Sequence, residues 1–166
     1  PRSTLFPYTT LFRSAAILVG SANDAAVALA LHCGGIDGFV EKMNSRALTL
    51  GLAATNFTNP TGNHDEQQYS TATDILKIYK SLYSIPALSK ILNTTSFKID
   101  ATNKSPSRTL WTGNSLSSKY YSVNYFYTYA RGGKTSASSS GGYSVICTGV
   151  KGNSKLICVV DRKSVV

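Results

Sequence analysis

Val19-Gly20-Ser21-Ala22-Asn23-Asp24-Ala25-Ala26-Val27-Ala28-Leu29-Ala30 sets a small polar cluster directly against a run of strong helix formers. From Ala25 the residues have almost no polarity, which predicts a helix buried on most of its surface. A hydroxyl, Ser21, and an amide, Asn23, therefore stand at the mouth of that helix. Ser, Asn and Asp all accept hydrogen bonds from the free N–H groups of a first turn, so an N-cap is the simplest reading of the cluster.

Downstream, Gly34-Gly35 stops the helix, and Asp37 is placed to cap another running to about Leu50. Phe39, Val40, Met43, Ala47 and Leu50 recur at helical spacing, with Gly51 where a C-terminal glycine is preferred. The stretch Thr55 to Glu66 is dense in Asn, Thr, Pro and Gly and predicts a surface loop long enough to line a site. Thr71-Ala72-Thr73-Asp74 opens a third helix whose buried face is Ile75, Ile78, Tyr79 and Leu82, and Pro86 starts a shorter one through Leu92. Alternation then predicts short strands at Ser96–Ile99 and Arg108–Trp111, an irregular aromatic stretch from Tyr120 to Tyr129, and a further strand from Arg131 to Ala137.

Tyr143 to Val150 and Lys155 to Val160 read as a hairpin around Lys151-Gly152-Asn153-Ser154. Both of its faces are fairly apolar, which predicts a sheet covered by helices. If the four-residue loop sets the register, Val150 faces Lys155 and Cys147 faces Cys158. Opposed residues hold their Cβ atoms about 4.5 to 5.5 Å apart, whereas a disulfide wants about 3.5 to 4.5 Å, so two thiols are expected rather than a bond.

Composition bounds the function classes. The chain has 166 residues, 42% of them hydrophobic and 15% charged, a globular balance in one domain. Its net charge is +9, but the basic residues are scattered singly, so they do not make the clustered footprint of a nucleic-acid binder. The three cysteines lack a metal-ligand spacing, no stretch reaches the roughly 18 apolar residues of a membrane span, and the N-terminus lacks a signal-peptide layout.

A second polar cluster is Arg131-Gly132-Gly133-Lys134-Thr135-Ser136-Ala137, followed by Ser138, Ser139, Ser140, Gly141, Gly142 and Tyr143. By itself it reads as an edge strand with a solvated lysine, its glycines allowing a ligand or another backbone to approach. In chain order, the first cluster, Phe39-Val40-Glu41-Lys42-Met43-Asn44, Asn59-Pro60-Thr61-Gly62 with His64-Asp65, Tyr69-Ser70-Thr71-Ala72, and Gly133-Lys134-Thr135 with Gly142-Tyr143 form one constellation. It resembles the D-alanyl-D-alanine carboxypeptidases, low-molecular-weight penicillin-binding proteins of the serine β-lactamase and transpeptidase superfamily. The resemblance implies an α/β fold of the β-lactamase/transpeptidase-like type, an antiparallel sheet with helices, here truncated at its N-terminus. It implies removal of the terminal D-alanine from peptidoglycan stem peptides ending in D-Ala-D-Ala, through an acyl-enzyme and without metal or organic cofactor. β-Lactam antibiotics would be inhibitors, the location would be the bacterial cell envelope outside the cytoplasm, secreted or membrane-associated, and the intact parent could be membrane-anchored.

By the same resemblance Ser21 and Asn23 form the family's second motif and Lys134-Thr135-Ser136 its third. Ser21 would relay a proton to the leaving D-alanine, and Asn23 would hold the peptide's amide groups. Lys134 would supply positive field, Thr135 would bind the substrate carboxylate, and the Ala137 N–H would be one oxyanion donor. The family's nucleophile, in a Ser-x-x-Lys spacing, is expected some tens of residues before Ser21. No serine in this sequence has a lysine three positions on, and the serines upstream of Ser21 are Ser3 and Ser14. The third motif normally ends in glycine, where this chain has Ser136, a side chain that would crowd a substrate strand or alter specificity. His64, Asp65 and Glu66 lie where related β-lactamases can carry a deacylating carboxylate, but turn chemistry already explains them. A β-lactamase and a non-catalytic peptidoglycan-binding relative are the alternatives.

The two ends read differently. Thr4 to Ser14 resembles the translation of a common DNA-sequencing adapter, and Asp161 to Val166 resembles its reverse complement. Thr9 to Ser14 can be written ACG ACG CTC TTC CGA TC plus any base, and the opposite strand in a shifted frame gives Asp161-Arg162-Lys163-Ser164-Val165-Val166. Residues 1–14 and 161–166 are therefore expected to be adapter-derived, and 15–160 a partial catalytic domain. Setting aside Arg2, Arg13, Arg162, Lys163 and Asp161 leaves 13 basic against 7 acidic residues, a balance of +6. Sequencing the parental gene should place different codons beyond residues 15 and 160; the same flanks in that gene would refute the expectation.

Overall fold

The computed structural model describes residues 6–138 and 142–163. Five helices precede the main sheet: α1 (Phe6–Leu18), α2 (Asn23–His32), α3 (Gly35–Thr49), α4 (Ala72–Tyr83) and α5 (Pro86–Leu92). Strands β1 (Ser96–Ile99) and β2 (Arg108–Trp111) pair as a small antiparallel ribbon, while β3 (Ala130–Ser138), β4 (Gly142–Lys151) and β5 (Ser154–Lys163) form an antiparallel sheet in that order.

Local chemistry accounts for most of these boundaries. Thr71 caps α4 by accepting from the Asp74 N–H at 3.1 Å, Pro86 opens α5, and Gly51 takes a φ of 66° after α3, as its capping role requires. In the β4–β5 hairpin Val150 pairs with Lys155 and Cys147 with Cys158, the register expected from the loop, and both cysteines are free thiols. Burial pushes the Cys147 thiol pKa up.

Three expectations fail. Asp37, expected to cap the helix now seen as α3, lies within its first turn, and Gly34 holds the N-cap position. α1, Phe6–Leu18, was not foreseen as a helix. It belongs to the packing: Ala15 and Val19 are buried, as are Ala26 and Ala30 of α2, and Phe12 meets Phe97 edge-on at 5.8 Å. α2 is less enclosed than its composition suggests, since Leu31 is exposed. The sheet is covered by helices on one face only: Ile146, Ile157 and Val159 join Tyr79 and Leu92 in the core, with Leu18, Ile75, Leu82 and Tyr83 around them, while Leu156 on the other face is 73% exposed. Alternation along β4 and β5 explains the split, because side chains one residue apart point to opposite faces.

Inside the core one polar pair is satisfied internally. The Tyr79 hydroxyl and the Thr148 Oγ1 lie 2.9 Å apart with Thr148 fully buried, joining α4 to β4. Burial raises the Tyr79 pKa, so the neutral hydroxyl is kept.

Two glycines set the seat of β3. A Cβ at Gly132 would lie 2.1 Å from the Leu92 carbonyl oxygen, and one at Gly133, whose φ is 152°, 2.0 Å from that of Ile146. Gly132→Ala should cost about 3 kcal/mol or more, because rigid backbone must move to admit a methyl. Gly38→Ala, in open space within α3, should stabilise by about 0.5 to 1 kcal/mol. Urea midpoints at constant slope measure both, and equal midpoints for the two variants would refute the steric account.

Candidate active site

The polar cluster at Ser21 is built by the end of α1. The Ala16 carbonyl accepts from the Gly20 N–H at 3.0 Å and from the Ala22 N–H at 3.1 Å, which bends the chain back over the helix terminus. Ser21 is thereby held at φ 52°, the one described non-glycine residue with positive φ. Such a conformation costs an L-residue on the order of 1 kcal/mol and recurs where a side chain must be aimed. The cap reading does not hold here: Ala22 occupies the N-cap of α2 with no side-chain cap bond, and Asp24 Oδ1 accepts from its neighbour's Ala25 N–H at 2.8 Å.

What Ser21 meets is Lys134. The Lys134 Nζ donates to the Ser21 Oγ, linking groups 113 residues apart in sequence. Register explains how the lysine gets there. Lys134 pairs with Ile146, whose side chain belongs to the core, so the lysine stem leaves the sheet on the covered face and its amine emerges at Ser21. Burial without a carboxylate partner lowers the Lys134 pKa from the ordinary lysine value of 10.5.

Asn23 forms the next part of the wall. Its Nδ2 reaches Asn63 Oδ1 at a long 3.4 Å. Asn63 belongs to the loop predicted between Thr55 and Glu66, and Asn59 organises that loop. The Asn59 Oδ1 accepts from the Gly62 N–H at 2.8 Å, the Asn63 N–H at 3.1 Å and the Thr61 hydroxyl at 2.9 Å, while its Nδ2 donates to the Asn63 carbonyl at 3.0 Å. Two further residues fasten the loop to helices. Asn44 of α3 exchanges both amide bonds with Phe57 at 2.8 Å, and the buried Asp74 of α4 accepts from the Thr55 hydroxyl at 2.9 Å and the Ala54 N–H at 3.2 Å. Burial alone would raise the Asp74 pKa, but those bonds and Lys77 outweigh it, and the net shift is downward.

Thr135, Ser136 and Ala137 continue along β3. Thr135 is half-buried, and Ser136 and Ala137 are exposed and pair with Ser144 and Tyr143. Among the described residues β3 is paired on one side only, by β4. Ser139, Ser140 and Gly141 lie outside the described residues. Sequence reasoning missed the support behind Thr135. A Cβ at Gly113 would lie 3.1 Å from Thr135 Oγ1, and the segment from Thr112 to Ser118 is a knot of buried polar groups. Asn114, 1% exposed, holds it: its carbonyl accepts from the Ser117 and Ser118 N–H groups, and its Oδ1 from the Leu116 N–H. The visible signal was the Thr112-Gly113-Asn114-Ser115 turn composition, which names a turn and not what it touches.

Comparison with known proteins gives the family and the fold. The sequence profile of the D-alanyl-D-alanine carboxypeptidases matches residues 11–163. The chain belongs to that family. It is 33% identical over 145 residues to the D-alanyl-D-alanine carboxypeptidase DacF of Bacillus subtilis, covering 87% of this chain and 35% of that protein. It is 35% identical over 150 residues to DacA of Haemophilus influenzae, covering 87% and 34%. The chain thus spans about a third of the length of these curated relatives. Among solved structures, the D-alanyl-D-alanine carboxypeptidase of Mycobacterium tuberculosis superposes with a TM-score of 0.76 at 27% identity, over 90% of this chain and 55% of that one. The Streptomyces K15 DD-transpeptidase gives 0.79 at 25%, over 93% and 60%. The fold is therefore that of the DD-peptidases and transpeptidases, with helices against an antiparallel sheet as its sequence implied.

The burial of Lys134 has a measurable consequence. In chain whose lysines are reductively methylated with 13C, the Lys134 resonance, assigned by its loss in Lys134→Arg, should titrate below 10.5. Titration of that resonance with the bulk of the surface lysines would refute its desolvation.

Proposed function

We propose that this chain carries two walls of a serine DD-peptidase active site, and that the whole protein removes the terminal D-alanine from peptidoglycan stem peptides. The observation that carries this reading is the contact between Lys134 and Ser21. It unites the two polar clusters, and it joins a cation, a hydroxyl and an open strand edge in one place.

Each residue then has a step. The nucleophilic serine oxygen, on a segment this sequence does not contain, attacks the carbonyl carbon of the penultimate D-alanine. The C–N bond breaks, and the leaving amine receives a proton through the Ser21 hydroxyl, which Lys134 orients and polarises. Asn23 holds the peptide's amide groups, with the Asn59-organised loop beside it. Thr135 binds the substrate's terminal carboxylate, in the positive field of Lys134. Ser136 lies along the strand edge where the substrate backbone would run, and the Ala137 N–H is one donor to the oxyanion. Water then hydrolyses the ester. β-Lactams mimic the substrate and acylate the same serine.

The family relationship supports a place in the bacterial cell envelope, outside the cytoplasm. Among the described residues no helix is long and apolar enough to cross a membrane. The catalytic-domain portion is residues 15–160, with the flanks adapter-derived.

The intact parent should release D-alanine from a peptide ending in D-Ala-D-Ala and be acylated by labelled penicillin. Lys134→Ala in it should lower kcat/KM by about a hundredfold or more, the usual cost of losing a positioned proton-relay or electrostatic group. The 166-residue chain itself should take no label. A parent that does neither reaction, or labelling of this chain, would overturn the reading.

A further inference from the structure

Cys147 and Cys158 are direct partners in the antiparallel pairing of β4 with β5. Their neighbours Ile146, Ile157 and Val159 enter the core, so alternation puts both sulfurs together on the opposite face. Their surroundings differ. Cys147 is 7% exposed, whereas Cys158 is open to solvent, on the face where Leu156 is also exposed. One thiol of the pair is thus sheltered, and the other is offered to a reagent.

A buried donor is aimed at the sheltered sulfur. Asn114 is 1% exposed, its Oδ1 is used by the Leu116 N–H, and its Nδ2 has no hydrogen-bond partner among the described residues. A buried polar group left in that state is costly to the fold. Burial pushes the Cys147 thiol pKa up, the Asn114 side chain works against that rise, the Cys158 charge adds to it, and the Gly132 N–H again opposes it. Asn114 and Gly132 therefore direct two donors at a thiolate formed on Cys147, and that thiolate is the acceptor Asn114 otherwise lacks.

Backbone spacing suits a bond between the two sulfurs. Opposed residues of an antiparallel pair hold their Cα atoms about 4.5 to 5.5 Å apart, within the roughly 4.4 to 6.8 Å that disulfides span. Their Cβ atoms lie about 4.5 to 5.5 Å apart where a disulfide wants about 3.5 to 4.5 Å, which favours two thiols at rest and leaves a bond between them strained. Strained or exposed disulfides are the readily reduced ones, suited to a reversible modification and not to a permanent strut.

We infer that Cys147 and Cys158 are a reversible modification site, a thiol pair that closes to a disulfide by exchange with a disulfide-bearing oxidant. The exposed Cys158 thiolate attacks one sulfur of the oxidant R–S–S–R, giving Cys158–S–S–R and a thiolate R–S⁻ that takes up the proton Cys158 lost. The Cys147 thiolate, held by Asn114 and Gly132, then attacks the Cys158 sulfur. The second R–S⁻ leaves and takes the Cys147 proton. Two protein thiols are thus oxidised by two electrons, and the oxidant is reduced to two R–SH. The new bond would tie β5 to β4 at the level of Gly133, one residue from Lys134. Oxidants of this class operate outside the cytoplasm, the location that the family relationship supports. The exchange itself needs nothing from the peptidase chemistry.

The folded 166-residue chain, reduced and then held in oxidised glutathione, should lose the thiols of Cys147 and Cys158 together. Alkylation and digestion should then give one linked peptide pair joining those two residues, with Cys33 outside any internal bond. Excess reduced glutathione should restore both thiols, as a strained bond requires. Cys158→Ser should leave Cys147 unmodified, because the buried thiol has lost its exposed entry, with circular dichroism unchanged. A glutathione adduct that stays on Cys158 beside a free Cys147, no reaction at either thiol, a link to Cys33, or closure only in urea would each overturn the inference. So would a bond that excess reduced glutathione fails to open.

Discussion

The paired glycines at 132 and 133 are the constraint on which the site depends. Each occupies a place where a methyl group would meet a backbone carbonyl, at 2.1 Å at the end of α5 and at 2.0 Å on β4. Both contacts are to main chain, which cannot swing aside as a side chain can. β3 is thereby pressed against the helical layer and the sheet at once, with a register shift between Ala130 and Gly132. The residue that follows is Lys134. Its position opposite Ile146 is a consequence of that seat, and its contact with Ser21 is a consequence of the position.

The opposing wall is held by a different device. Val19 is buried and Leu110 packs against Gly20, but the turn itself is fixed by two N–H groups on the Ala16 carbonyl, which leave Ser21 in a left-handed conformation. The neighbouring loop is likewise organised by amides and hydroxyls, with Asn59, Asn44 and Asp74 taking the place of a core. Directional bonds fix such a loop without filling its surroundings, which suits the rim of a cleft that must remain open to a ligand.

Much of this was legible in the sequence because it depends on short-range chemistry. The Thr71 cap, the Pro86 start, the Gly51 stop and the hairpin register all follow from residues within a few positions of each other. The two halves of the site were legible as polar clusters, and their meeting followed from the resemblance alone. What escaped was long-range. α1 lacks a polar N-terminal signal and a marked amphipathic stripe, and its packing rests on small residues such as Ala15. The support of Thr135 by Gly113 joins a bend after β2 to β3, and no local pattern encodes such a contact. The apolar outer face of the hairpin was misread because composition cannot distinguish a covered face from an uncovered one.

Lys134 shows how the two walls oppose one another energetically. Its amine is drawn out of water by the same packing that positions it, and the described partner is a neutral hydroxyl. Desolvation penalises the charged form, so the folded chain releases that proton at lower pH than the unfolded chain. Below both values the lysine is charged in either state and the penalty falls wholly on the fold. As pH rises through the lowered folded value the penalty is relieved, and relief is complete above the ordinary value of 10.5. While the amine is protonated, its charge is therefore kept at the expense of stability. A buried leucine at 134 would remove that penalty and with it the polarising field at Ser21, so the lysine is accounted for by the chemistry of the cleft and not by the cohesion of the sheet.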